Sequence, residues 1–300
     1  MKRLLKWLAV VVAIVAALLA AAAYAGVYLS EQKRHRTVAL PAYALPIPTD
    51  AASIERGKYL YATRGCAECH GADGAGRDVV NDGKGFHVRG PNITAGPGNV
   101  VDGYTPADWE RALRHGVARG GRPLLVMPAE DYARLTDVDL GAIVAYVRSL
   151  PPAAGGAAIL QLPLPVRVLY GYGAITDAAA KIDHSLPPPQ PVAEGITVEH
   201  GKYVSAACIG CHGEHLSGGK IPGGPPDWPP ASNLTPGPDS AMARYANAAQ
   251  FAQMFRSGTR PDGTPIKVMP FEALKQMNDT DIAALYLYLK TVPARPAGQR

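Results

Sequence analysis

All four cysteines of the chain fall in two copies of one motif, Cys66-Ala67-Glu68-Cys69-His70 and Cys208-Ile209-Gly210-Cys211-His212. Two thiols separated by two residues and followed at once by an imidazole are the attachment signal for c-type haem: the thiols add to the two porphyrin vinyl groups and the histidine ligates the iron. The gap of two residues lets both sulfurs reach vinyl groups on neighbouring pyrroles, and the next residue then projects toward the metal. A single copy would also suit a redox dithiol or half of a zinc site. Two copies in a shared context argue against both, and no thiol is left over for a disulfide. The expectation is two covalently bound haem c groups, one on Cys66, Cys69 and His70, the other on Cys208, Cys211 and His212.

The shared context is a long internal repeat. Cys66 and Cys208 are offset by 142 residues, and so are Met127 and Met269. Glu55-Arg56-Gly57-Lys58-Tyr59 precedes the first motif and Glu199-His200-Gly201-Lys202-Tyr203 the second. Asn92-Ile93-Thr94 is echoed by Asn233-Leu234-Thr235, one residue out of step, and Val126-Met127-Pro128 by Val268-Met269-Pro270. Each methionine lies 57 residues after the motif histidine of its own module. A thioether in the sixth position of the iron is soft and neutral, favours the ferrous state and raises the potential relative to a second histidine. Met127 and Met269 are therefore the candidate sixth ligands. Met242, Met254 and Met277 have no methionine at the equivalent position and read as core filler. His87, His115 and His215 do not recur in the other module.

Local signals say which elements position these residues. Residues 53–65 read as a helix leading into the first motif, with Gly57 as a point of close approach and Gly201 as its counterpart. The stretches 71–104 and 213–246 are rich in Gly, Asn, Asp and Pro and read as loops that wrap a haem edge. Within them Asn92 and Thr94 suit a side-chain-stabilised turn, or a hydrogen bond to a haem propionate. Thr105-Pro106-Ala107-Asp108 is a helix start, and Asn247 with Gln250 marks its counterpart. Trp109 reads as packing. Thr136 with Asp139, and Asn278 with Asp281, read as cap pairs. Leu140, Ile143, Val144 and Val147 then match Ile282, Leu285, Tyr286 and Leu289 on one face of a closing helix. Each closing helix is expected to cross the first helix of its module near the glycine.

The chain has 300 residues, 47% of them apolar, enough for two cores. Its net charge of +5 comes mainly from the N-terminal flank, so neither module offers a basic face for nucleic acid. Lys2, Arg3 and Lys6 precede an uncharged run, 7–30, long enough to cross a bilayer. The run reads as a retained anchor, with signal-peptide cleavage after Ala23-Tyr24-Ala25 as the alternative. The organisation expected is an anchor in 1–30, a stiff Pro-containing spacer in 31–52, modules in 53–152 and 195–300, and a Pro/Ala-rich segment, 153–194, too apolar for a free linker. His184, within that segment, is expected to face solvent.

On these residues each module resembles a class I cytochrome c domain over about 53–152 and 195–293. The resemblance implies an all-α fold, two tandem domains after a transmembrane helix, with His70/Met127 and His212/Met269 as axial pairs. The Asn-Ile-Thr segment, the Thr-Pro-x-Asp-Trp helix start and the Met-Pro before a Leu-x-Asp-x-Asp-Leu helix are similar to cytochrome subunits of membrane-bound alcohol and related periplasmic dehydrogenases. Those subunits carry three haem modules, and this chain has two. The resemblance places both modules on the periplasmic side of the bacterial cytoplasmic membrane. The functional expectation is electron transfer from a dehydrogenase or quinol-oxidising partner to a terminal oxidase or soluble cytochrome, with no catalytic residue. The alternative is a dihaem redox enzyme of peroxidase or thiosulfate-oxidising type. That alternative needs an open position on one iron, against which the matched methionines argue; a haem-based sensor lacks any output domain in the sequence.

Overall fold

The computed structural model describes residues 1–237 and 239–300; Pro238, in the second glycine-rich stretch, lies outside the described residues. Helix α1 spans Lys2–His35, and Lys33, Arg34 and His35 close it, where positive charge suits the C-terminal end of the helix dipole. By length and composition it can cross a membrane. The segment after it does not stand free as a spacer. Val38 N–H donates to the Gly121 carbonyl at 2.8 Å, and Leu45 is buried in the first core. Three prolines made the segment look like a rigid strut, but its apolar side chains gain more by lying along the module.

In the first module, Asp50 caps α2 (Ala51–Thr63) by accepting from Ser53 N–H at 2.9 Å. The one-turn helix α3 (Cys66–His70) carries the motif. Helix α4 (Pro106–His115) begins in a full capping box between Thr105 and Asp108, α5 (Ala129–Tyr132) follows the methionine, and α6 (Asp137–Ser149) closes the unit. The core gathers Leu60, Tyr61, Trp109, Leu140, Ile143, Val144 and Val147. Between the modules lies α7 (Leu164–Tyr172). The second module repeats the plan with α8 (Val198–Ser205), α9 (Ile209–His212), α10 (Ala248–Ser257), α11 (Phe271–Leu274) and α12 (Asp279–Leu289). Its core holds Phe251, Met254, Phe255, Ile282, Leu285 and Leu289, together with Met242 and Met277.

Among the described residues the fold is mainly helical, with one three-stranded sheet. Strands β1 (Asp78–Asn81), β2 (His87–Arg89) and β3 (Ile159–Gln161) form an antiparallel sheet in the order β1-β2-β3, with Val88 opposite Leu160. The sheet stitches the first haem-side loop to the intermodule segment. That segment also covers the far side of the first module, where Ala178 and Ala179 are buried. His184 is half-buried and engaged rather than free in solvent: its Nδ1 lies 2.9 Å from His115 Nδ1, and its Nε2 is 2.9 Å from the Ala179 carbonyl oxygen.

In both modules the first and last helices cross at a glycine. A Cβ on Gly57 would run into the Ala142 carbonyl oxygen, and one on Gly201 into that of Ala284. A backbone atom is the obstacle, so no rotamer change relieves it. Gly201→Ala is expected to cost ~1–3 kcal/mol by forcing α8 away from α12, read as a lower denaturant midpoint with an unchanged slope.

Candidate functional site

Each motif histidine is held in one tautomer by the backbone. His70 Nδ1 lies 2.9 Å from the Pro91 carbonyl oxygen and His212 Nδ1 lies 2.8 Å from that of Ser232. A carbonyl oxygen only accepts, so Nδ1 carries the proton and Nε2 keeps its lone pair, as a metal-bound imidazole requires. Burial lowers the pKa of both rings, only partly offset by those hydrogen bonds, and favours the neutral form. Burial also pushes the Cys66 thiol up to about 12 and Cys208 up to about 11, and raises Cys69 and Cys211. Two thiols beside a neutral imidazole with a free Nε2 are the donor set covalent haem c needs, so the residues present fit the group.

The carbonyls that orient the rings are themselves fixed by the next residue. Asn92 Oδ1 accepts from Thr94 N–H and Oγ1–H, while its Nδ2 donates to the carbonyls of Pro97 at 3.2 Å and Ala153 at 2.8 Å. Asn233 repeats this with Thr235 and the Arg295 carbonyl. Both asparagines are therefore positioning residues for the motif histidines. Asn92 has no donor left for a propionate, so the turn reading holds in the first module. The clue was present in sequence as the repeated Asn-x-Thr; its link to the histidine needed the fold.

Met127 and Met269 are half-buried and pack against the first and second cores, each directly before the proline that opens α5 or α11. The other histidines are engaged elsewhere or exposed. His87 Nε2 lies 2.9 Å from Asp78 Oδ1, His115 Nε2 is 3.2 Å from Glu110, and His215 is on the surface. Cys66 is buried, Cys69 and Cys208 are half-buried, and Cys211 is exposed.

The two modules meet through a reciprocal exchange. Tyr59 donates its hydroxyl to Asp281 of the second module at 2.7 Å, and Tyr203 donates to Asp139 of the first at 2.6 Å. Each tyrosine oxygen in turn accepts a backbone N–H at the start of the other module's closing helix, from Asn278 and Thr136. Each aspartate is braced within its own module, Asp139 by both nitrogens of the Arg56 fork at 2.9 and 3.0 Å and Asp281 by His200 Nε2 at 2.7 Å. Sequence spacing had made these aspartates partners of the caps. Thr136 and Asn278 do cap the helices by accepting the Asp139 and Asp281 N–H groups, but the carboxylates serve the interface. The same contact brings Asp131, just after Met127, over Gly210 of the second motif, where burial, reinforced by Glu130, pushes its carboxyl up to about 7.

Burial alone would raise Asp139, yet hydrogen bonding from Arg56, its charge and the Tyr203 hydroxyl hold the carboxyl below the usual range. A carboxyl depressed on folding contributes stability that is complete above its unfolded value of about 3.9 and is lost as pH falls through the folded value. Asp139→Asn, which leaves the Arg56 guanidinium with only the exposed Glu194 carboxylate at 3.5 Å, is expected to cost on the order of 3 kcal/mol at pH 7. The gap to the unaltered protein should close as the pH is taken below about 4, measured by denaturant titration at each pH.

A neutral, carbonyl-held imidazole beside paired thiols, repeated on two related helical cores, fits two tandem cytochrome c domains with two candidate haem c attachment sites. Residues 52–147 match the family model of cytochrome c oxidase, cbb3-type, subunit III, and residues 198–293 that of cytochrome c. The chain is similar to the fructose dehydrogenase cytochrome subunit of Gluconobacter japonicus, 29% identical over 86% of this chain and 56% of that protein. It is also similar to the gluconate 2-dehydrogenase cytochrome c subunit of Pantoea cypripedii, 28% identical over 83% of this chain and 61% of that protein. A diheme cytochrome c-type protein of Cereibacter sphaeroides is 27% identical over 80% of this chain and 86% of its own length. The chain thus spans little more than half the length of the two dehydrogenase subunits.

Proposed function

We propose that this chain is a membrane-anchored electron-transfer protein. It takes electrons from a periplasmic or membrane dehydrogenase and passes them to an oxidase or soluble cytochrome. His70 with Met127 and His212 with Met269 are the axial pairs, in modules bounded by about 53–152 and 195–300. Helix α1 crosses the cytoplasmic membrane once, with both modules on the periplasmic side. Haem c, when bound, supplies a reversible one-electron couple. The protein's part is to fix the imidazole tautomer, exclude water with the two cores and keep the attachment motifs of both modules at one interface.

The observation that carries this reading is the equivalence of the two sites: the same carbonyl-held histidine and the same Met-Pro start of a short helix recur in both modules. Two alike sites suit transfer, whereas catalysis at one iron calls for asymmetry. The similarity to dehydrogenase cytochrome subunits supports a dehydrogenase as donor. The test is an optical and magnetic-resonance redox titration of the purified protein, with near-infrared detection of the sulfur-to-iron band. Two low-spin, methionine-ligated haems inert to carbon monoxide and peroxide are expected. One high-spin haem that binds either molecule would replace this reading with a dihaem enzyme.

A further inference from the structure

Helix α7 is the one α-helix of the intermodule segment, and it leans on the anchor. Gly26 of α1 and Gly171 of α7 face each other so closely that a Cβ on Gly171 would strike the Gly26 carbonyl oxygen. Ser30 is fully buried at the same crossing. Arg167 reaches Glu31 at 3.1 Å, Lys33 Nζ donates to the Tyr170 carbonyl at 3.1 Å, and Arg36 forks onto Asp177 at 2.7 and 2.6 Å. The crossing point lies inside the uncharged run. Gly26 is five residues before Glu31, or about 7 Å along the helix at 1.5 Å per residue.

The orientation of α7 about its own axis follows from these contacts. Arg167 points toward Glu31 and the charged end of α1. Tyr172 instead donates its hydroxyl to the Ala22 carbonyl at 2.8 Å, one turn deeper in the apolar run than Gly26. At 100° per residue Leu169 and Tyr172 share the face opposite Arg167, and they are 45% and 55% exposed. This uncharged face therefore looks toward the apolar run of α1 and the bilayer, and Tyr24 and Tyr28 are exposed at the same level on the far side of α1. Aromatic residues at this level suit the headgroup boundary.

We infer that α7 is an interfacial membrane helix: Leu169 and Tyr172 are seated in the outer leaflet of the bilayer that α1 crosses. The occupant of this face is lipid, because the face adjoins the anchor through Tyr172 and Ala22, lies at the depth of its apolar run and carries no charge. An apolar face sunk 5–10 Å into the headgroup boundary is what such helices bury. The chain then touches the membrane at two places, and α7 sets the orientation of the first module, through β3 and the Arg36–Asp177 pair, instead of leaving it to swivel on a single span. This inference rests on the reading of α1 as a retained anchor.

The test uses the full-length haem-loaded protein in phosphatidylethanolamine/phosphatidylglycerol vesicles, with a carbene precursor that partitions into the acyl chains and mass spectrometry of the tryptic peptides. Insertion is expected in the anchor and in peptide 168–181, which holds Leu169 and Tyr172. That labelling should be at least several-fold above the peptide containing Trp228, an exposed apolar residue of the second module. Label in the anchor but not in 168–181 would overturn the inference and leave the anchor reading standing. Label in neither would overturn both. Equal label at Trp228 would show that the reagent follows exposed apolar surface in water, and would overturn the inference as well.

Discussion

A chain carrying Cys66→Ser and Cys69→Ser is expected to hold one covalent haem in place of two. Serine is nearly isosteric with cysteine, so the one-turn helix Cys66–His70 and its capping geometry can persist, but a hydroxyl forms no thioether with a porphyrin vinyl group. His70 would still present Nε2, because its Nδ1 remains tied to the Pro91 carbonyl. Any haem retained at that site would therefore be held by ligation alone and would leave on denaturation. The measurement is haem per protein after denaturation, with the intact mass of the chain: one covalent group is expected, located on Cys208 and Cys211. The converse pair, Cys208→Ser with Cys211→Ser, should leave its single group on Cys66 and Cys69. Two covalent groups in either variant would refute the assignment of the motifs.

Met269→Ala separates ligation from attachment. Both thioether bonds of the second module should form, since Cys208, Cys211 and His212 are untouched. Loss of a soft, neutral sulfur that favours the ferrous iron is expected to lower one of the two potentials by on the order of 0.1 V, a fraction of the roughly 0.8 V that axial ligation spans. The sulfur-to-iron band should fall to half its amplitude. Met254→Ala is the control, because Met254 is buried in the same core. It should lower stability by ~2–5 kcal/mol while leaving ligation as it was. If Met269→Ala titrated like the unaltered protein, Met269 would not be the ligand.

Much of this architecture could be read before any coordinates. The Thr-Pro-x-Asp start of α4 has the reciprocal bonds its spacing promises, and Gly57 and Gly201 mark the helix crossings. These features are local, or repeat at a fixed offset, and so leave a trace in one dimension. What escaped depends on partners far apart in the chain. Strand β3 is three residues of unremarkable Ile-Leu-Gln that become a strand only because β2 offers it an edge. Asp139 and Asp281 look like cap residues because the helix start is local, whereas Tyr203 and Tyr59 come from the other module. His184 looked solvent-facing in a Pro-rich tract until the segment folded back over His115. Even the proline-containing spacer misled, since prolines advertise stiffness and say nothing of what lies beneath.

The reciprocal tyrosine–aspartate exchange also sets an order of events. Tyr59 and Asp281 are 222 positions apart, so this contact cannot form until the closing helix of the second module has been made. Domains fold as units, N-terminal first, and during that interval the face bearing Asp139, Asp131 and the first attachment helix is open to solvent and to whatever machinery joins haem to protein. Completion of the second module then closes the face. Assembly of the pair is thus a timed event: the first site is accessible early and for longest, the second matures against a finished neighbour, and a chain halted before α12 would be left with an exposed, half-made joint.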